Sequence, residues 1–165
     1  METIDITPIL NEYTRWKNNI SGNYNEHIIL DNLMINDSEL YDSFYKEIHF
    51  GTSGLRGIMG LGPNRMNKYV VNRATRGLSE YLKRLKPQGA NVLISYDTRN
   101  HSQEFAKITA KVFLDMGIDA YVFKKPTPVP VLSYAIRSTN ADLGIMITAS
   151  HNPKIYNGYK VYNSE

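Results

Sequence analysis

Between residues 92 and 147 short apolar runs alternate with stretches of helical period, and that alternation leaves few folds open. Val92-Leu93-Ile94-Ser95-Tyr96 reads as a buried strand. Ser102 is placed to cap a helix carrying Phe105, Ile108, Val112, Phe113 and Met116, which Gly117 closes. Residues 120–123 form the next strand, and Thr127-Pro128 starts a short helix with Val131, Leu132, Ala135 and Ile136. Leu143 to Ile147 is again apolar throughout. Strand and helix in turn predict an α/β fold, a three-layer α/β/α arrangement around a mostly parallel sheet. Residues 159–162 return after a loop too short for a crossover helix. They are predicted to pair antiparallel, which makes the sheet mixed.

The chain before this region reads as helical. Ile6, Ile9, Leu10, Tyr13, Trp16 and Ile20 recur at helical spacing behind Thr7-Pro8, a cap and first position. Ser21-Gly22-Asn23 breaks the pattern, and Asp37-Ser38-Glu39 opens a second helix with Leu40, Phe44 and Ile48 on one face. Neither carries a chemical constellation, so residues 1–48 are predicted to be a helical extension of a domain spanning 49–165. A long helix from about Asn64 has Met66, Val70, Ala74, Leu78, Tyr81, Leu82 and Leu85 on one stripe, and Pro87-Gln88-Gly89 ends it.

Composition narrows the function classes. The 19 basic and 16 acidic residues leave +3, and no basic cluster is interleaved with aromatics, so no nucleic-acid partner is expected. Cysteine is absent, which removes disulfide and thiol chemistry and fits a reducing compartment. No apolar run is long enough for a signal peptide or a membrane span; a cytoplasmic protein without a membrane partner is expected.

Three segments carry chemistry. The apolar 143–147 run empties into Thr148-Ala149-Ser150-His151-Asn152-Pro153, where Pro153 stops the ladder and Ser150 stands where scaffold meets solvent. A serine there is a candidate nucleophile or phosphate carrier, or simply part of a polar turn. Phe50-Gly51-Thr52-Ser53-Gly54-Leu55-Arg56-Gly57 combines flexible backbone with two hydroxyls and a guanidinium. It is a phosphate cradle or a structural turn, and not a Walker loop. Asp97-Thr98-Arg99 ends a strand where open α/β sheets bind ligands; a local salt bridge is the alternative, and both can hold.

Thr-Ala-Ser-His-Asn-Pro resembles the phosphoserine loop of the α-D-phosphohexomutases, the phosphoglucomutase and phosphomannomutase superfamily. The 50–57 segment resembles their opening loop, and Asp97-Thr98-Arg99 matches their Asp-x-Arg. The resemblance spans about 50–162 and implies a sugar phosphate substrate. It implies Ser150 as phosphate carrier, His151 and Lys160 as acid/base or charge-stabilising groups, and Arg56 as an electrostatic support. Thr52, Ser53, Asp97, Arg99 and Asn152 would line the phosphate. It also implies Mg²⁺, bound in part by the Ser150 phosphate, and a sugar bisphosphate as activator. The family's aspartate-rich metal loop, sugar-recognition loop and terminal phosphate-binding domain have no counterpart here. The chain therefore corresponds to the first of four domains, with its partners in C-terminal domains, and is expected to be inactive alone. Phosphomannomutase or phosphopentomutase activity, or a non-catalytic binding module, are the alternatives to a phosphoglucomutase.

Overall fold

The structure, a computed structural model, describes residues 5–20, 24–52 and 54–163. Ser53 and the Ser21-Gly22-Asn23 break lie outside the described residues. The elements run α1 (Thr7–Asn19), α2 (Tyr24–Leu33), α3 (Asp37–Phe44), β1 (Leu55–Ile58), α4 (Lys68–Leu85) and β2 (Asn91–Tyr96). Then follow α5 (Ser102–Asp115), β3 (Asp119–Val122), α6 (Val129–Thr139), β4 (Leu143–Ile147) and β5 (Tyr156–Tyr162).

The strands form one sheet in the order β1-β5-β4-β2-β3. β2 pairs parallel with β3 and β4, while β5 pairs antiparallel with β4 and β1. β5 thus runs against the other four strands, as the short loop before it requires. Successive residues face opposite sides. Val92, Ile94, Ile145, Ile147 and Tyr159 share one core with Val71 of α4 and with Phe105 and Phe113 of α5. Leu93, Met146 and Tyr162 face the other way, onto Leu132 and Ile136 of α6. The molecule is therefore three-layered, and each fully buried side chain of this size stabilises it by about 1.5–3 kcal/mol.

The structure corrects several expected boundaries. The second half of the glycine segment is not loop but strand β1. Asn67, not a residue near Asn64, starts α4: its Oδ1 accepts from the Tyr69 and Val70 N–H groups at 3.1 and 2.9 Å. The inward face of α4 is rotated from the predicted stripe. Tyr81 and Leu85 are exposed, while Thr75 and Ser79 are buried, their hydroxyls donating to the Val71 and Thr75 carbonyls at 2.7 Å each. Ser102 is the first residue of α5 rather than its cap. Pro128 precedes α6, and β5 begins at Tyr156, three residues earlier than expected.

Among its described residues the N-terminal segment holds three helices, not two. α1 to α3 bury Ile9, Tyr13, Leu30 and Phe44 in a cluster of their own that reaches Leu61. Thr7 lies inside α1; its N–H is met by Asp5 Oδ1 at 2.9 Å. Ile48 lies beyond α3 and packs into the sheet core instead. Glu26 of α2 accepts from Lys68 Nζ at 2.9 Å and Tyr69 Oη at 2.8 Å, tying these helices to α4. No helix among the described residues is long and apolar enough to cross a membrane.

Candidate active site

Ser150 follows β4 on the edge of solvent, and its backbone is left-handed, with φ 57°. For a residue with a Cβ this costs about 1–2 kcal/mol, so its surroundings must hold it there. They do so from both sides. The Ser150 N–H donates to Thr148 Oγ1 at 2.9 Å. The Ser150 carbonyl accepts from Arg99 Nη2 at 2.7 Å. The Asn152 N–H closes the turn onto the Ala149 carbonyl at 3.1 Å.

Arg99 is the clamp of this loop. Its Nη2 also donates to the Asn152 carbonyl at 2.7 Å, and its Nη1 donates to the Pro153 and Tyr156 carbonyls at 2.9 and 3.3 Å. Its Nε lies 3.2 Å from Asp97 Oδ2. A guanidinium has five N–H groups, and Arg99 directs them all at the protein. It shapes the loop through the carbonyls of residues 150–156 and its ion pair with Asp97. The salt bridge within Asp97-Thr98-Arg99 is present, and it shapes the loop that carries Ser150. Asp97 receives the Thr148 hydroxyl at 2.6 Å and the Ser102 hydroxyl at 2.7 Å, and its Oδ1 takes the Arg99 N–H at 3.0 Å.

Arg56 reaches the same loop from β1, donating from Nη1 to Asn152 Oδ1 at 2.9 Å. Its place depends on close strand contact. Gly54 has φ 89°, and a Cβ there would fall 2.1 Å from the Tyr159 carbonyl oxygen; a Cβ at Gly158 would meet the Thr148 and Leu55 carbonyl oxygens at 2.6 and 2.7 Å. Gly51 and Gly54 exchange backbone hydrogen bonds of 3.1 and 3.0 Å, which leaves Thr52 exposed at the tip between them. Arg56, Asn152, Asp97, Arg99 and Ser150 are therefore brought together.

His151 is exposed beside Ser150, and Lys160 is half-buried on β5 opposite Met146. Among the described residues neither side chain has a hydrogen-bond or ion-pair partner. Lys160 lies four residues back along the sheet from Ser150, counted through Met146, and among the described residues no hydrogen bond or ion pair joins it to the loop. Next to it Tyr159 points the other way into the core, where burial pushes its phenol well above the usual range and its Oη lies 3.1 Å from Thr75 Oγ1.

Among the described residues no group of three or more His, Asp or Glu side chains is placed to hold a metal. Asp97 is already taken by two hydroxyls and a guanidinium. Among the described residues a metal here would find one prospective ligand, an oxygen carried by Ser150. Two site residues escape the sequence reading. Ser102 reads there as a helix cap, and Asn157 lies just before the returning 159–162 segment. The one signal for them is their polarity at positions that prove fully buried.

Residues 47–165 match the family described as phosphoglucomutase/phosphomannomutase, alpha/beta/alpha domain I. A phosphoglucomutase from Staphylococcus haemolyticus is 45% identical over 122 residues, 74% of this chain and 22% of that protein. One from Staphylococcus aureus strain NCTC 8325 is 43% identical over 129 residues, 78% of this chain and 23% of that protein. A solved structure from Thermus thermophilus, described as a putative phosphomannomutase, superposes with a TM-score of 0.65 at 33% identity, covering 72% of this chain and 26% of that one. The chain thus spans about a quarter of the length of the relatives it matches. On these matches the chain belongs to the phosphoglucomutase/phosphomannomutase family, and residues 47–165 are its α/β/α domain I.

Proposed function

We propose that this chain is the phosphoserine domain of a phosphoglucomutase-type isomerase, which converts hexose 1-phosphate to hexose 6-phosphate through a bisphosphate. The observation that carries this reading is Ser150, exposed, left-handed and bonded from both sides. A strained backbone maintained at a strand end holds a reacting atom in place before the reaction begins. In the transfer, the bond from phosphorus to Ser150 Oγ breaks as one forms to a sugar hydroxyl oxygen. The hydroxyl proton leaves, and Ser150 regains a proton when the phosphate has departed. Return transfer from the other position of the bisphosphate reverses these changes. His151 and Lys160 are the titratable groups on this chain suited to move that proton, and Arg56 offsets charge on the phosphoryl oxygens. Mg²⁺ would add charge neutralisation, with its carboxylate ligands supplied from outside this chain. A sugar bisphosphate would charge Ser150 at the start. We place the activity in the cytoplasm, in keeping with a chain free of cysteine.

Glucose is favoured over mannose because the phosphoglucomutase relatives are 45% and 43% identical, against 33% for the phosphomannomutase structure. The test is turnover of glucose 1-phosphate by the full-length protein with Mg²⁺ and glucose 1,6-bisphosphate. Ser150→Ala is expected to abolish it, and retained turnover would contradict the reading. Faster turnover of mannose 1-phosphate would move the assignment within the family. Residues 1–165 alone are expected to fold without turning over, since the metal ligands and the far wall of the site are missing from them.

A further inference from the structure

The hydrogen bonds around Ser150 continue beneath it into the core. Thr148 Oγ1 accepts the Ser150 N–H at 2.9 Å and donates to Asp97 Oδ2 at 2.6 Å. Asp97 Oδ1 accepts from Ser102 Oγ at 2.7 Å, and Ser102 Oγ accepts from Asn157 Nδ2 at 3.0 Å. The second Asn157 Nδ2 hydrogen goes to the Asn100 carbonyl at 3.0 Å, and its Oδ1 accepts the Gly158 N–H at 2.8 Å. Ser102 and Asn157 are fully buried.

Every proton in this chain of bonds has one direction only. An ionised carboxylate only accepts, so both hydroxyls must donate to Asp97. Their lone pairs are then turned outward, one to the Ser150 N–H and the other to the Asn157 amide. The Asn157 amide is fixed in turn, because its oxygen faces an N–H and its nitrogen faces a carbonyl. A buried network of this kind, satisfied at every member, holds one geometry. It links β5, the end of β2, the start of α5 and the end of β4, the elements whose spacing sets the loop.

We propose that Ser102 and Asn157 are positioning residues that act through Asp97 and Thr148 to hold Ser150 in its left-handed conformation for phosphoryl transfer. The proposal rests on the reading of Ser150 as the phosphate carrier. Neither residue touches the phosphoryl group; each acts on where the Ser150 Oγ points. Loss of the Ser102 hydroxyl leaves one Asn157 amide hydrogen without its oxygen acceptor and removes one of the two donors to Asp97 Oδ1. The Asp97 carboxylate is then held less firmly beneath the Thr148 hydroxyl, and Ser150 relaxes.

The experiment compares Ser102→Ala with Thr75→Val in the full-length protein labelled with ¹⁵N at serine. Thr75→Val removes an equally buried hydroxyl partnered by Tyr159, outside the network, and so controls for lost stability. Two quantities are read: the Ser150 amide resonance, and the rate of phosphate transfer from glucose 1,6-bisphosphate to Ser150. Ser102→Ala is expected to shift the amide and slow transfer by about tenfold or more, and Thr75→Val to do neither at equal loss of melting temperature. Ser102→Cys, which keeps the volume and a weak donor, is expected to recover part of both; it also replaces Ser102→Ala should the latter not fold. An unmoved Ser150 amide, or equal slowing by Thr75→Val, would overturn the proposal. If the unaltered protein never takes phosphate on Ser150, the functional reading fails while the amide shift still decides the positioning role.

Discussion

The two faces of the sheet do opposite work. The face under α4 and α5 is closed: Leu55, Ile94, Ile147 and Tyr159 are buried there, and a polar seam runs through it from Asn157 to Ser102 to Asp97. The other face is covered by α6 over β2 and β4. Beyond that cover, β1 and β5 turn Arg56 and Lys160 outward, each between residues that point into the closed core. One face fixes geometry and the other presents charge. A single antiparallel strand serves both, because side chains alternate along it. Arg56 and Lys160 are therefore carried by strands rather than by a loop.

This contrast can be broken from either side. On the closed face, Tyr159→Ala is expected to cost the most, about 3–5 kcal/mol by chemical denaturation, through the cavity left by a fully buried ring. The same variant should leave the charge-bearing face intact in any fraction that remains folded. At the seam between the faces, Arg99→Ala is expected to lower turnover by about 100-fold, because a displaced loop misplaces the reacting oxygen. Amide exchange at 150–156 should quicken as four carbonyls lose their donor. Exchange unchanged from the parent would mean that the loop holds its own shape.

On the open face, Arg56→Ala and Lys160→Ala are expected to lower kcat by about 10- to 100-fold with little change in Tm, since each removes a charge and little core. Parallel losses of Tm and kcat would show that both are structural. The smallest effect lies far from the site. Burial tends to raise the Asp142 carboxyl, but the Asn91 N–H at 3.0 Å and Lys86 at 2.9 Å outweigh it and hold it below the usual range. A carboxyl lowered by folding adds stability above its unfolded value of about 4 and loses it as pH falls through the folded value. The Tm gap between the protein and Asp142→Asn should therefore be present at neutral pH and close in acid. A gap that persisted at low pH would assign the effect to packing.

Both faces are legible in the sequence to different depths. The 143–147 strand, the Ser150 loop and the antiparallel return are readable because each is encoded locally, by an apolar run, a proline stop and a loop too short for a crossover. β1 reads as loop because its glycines look like turn residues; Gly54 answers instead to the Tyr159 carbonyl, more than a hundred residues away. α2 does not show because Ile28, Ile29 and Leu30 are consecutive and make no helical stripe. The true inward face of α4 is hidden because Thr75 and Ser79, polar by composition, satisfy themselves on carbonyls within the helix. The hold of Arg99 on the loop does not show because its partners are backbone carbonyls, which leave no trace in residue identity. Asn157 and Ser102 escape for a related reason: each is explained only by the other, across 55 residues.

The central claim is that the closed face exists to hold Ser150 as a phosphoryl carrier. It is tested most directly by treating the full-length protein with glucose 1,6-bisphosphate and mapping phosphopeptides before and after glucose 6-phosphate is added. The account predicts phosphate on Ser150 that is lost to the sugar on that addition. Phosphate held stably on another serine, with Ser150 unmodified throughout, would contradict it.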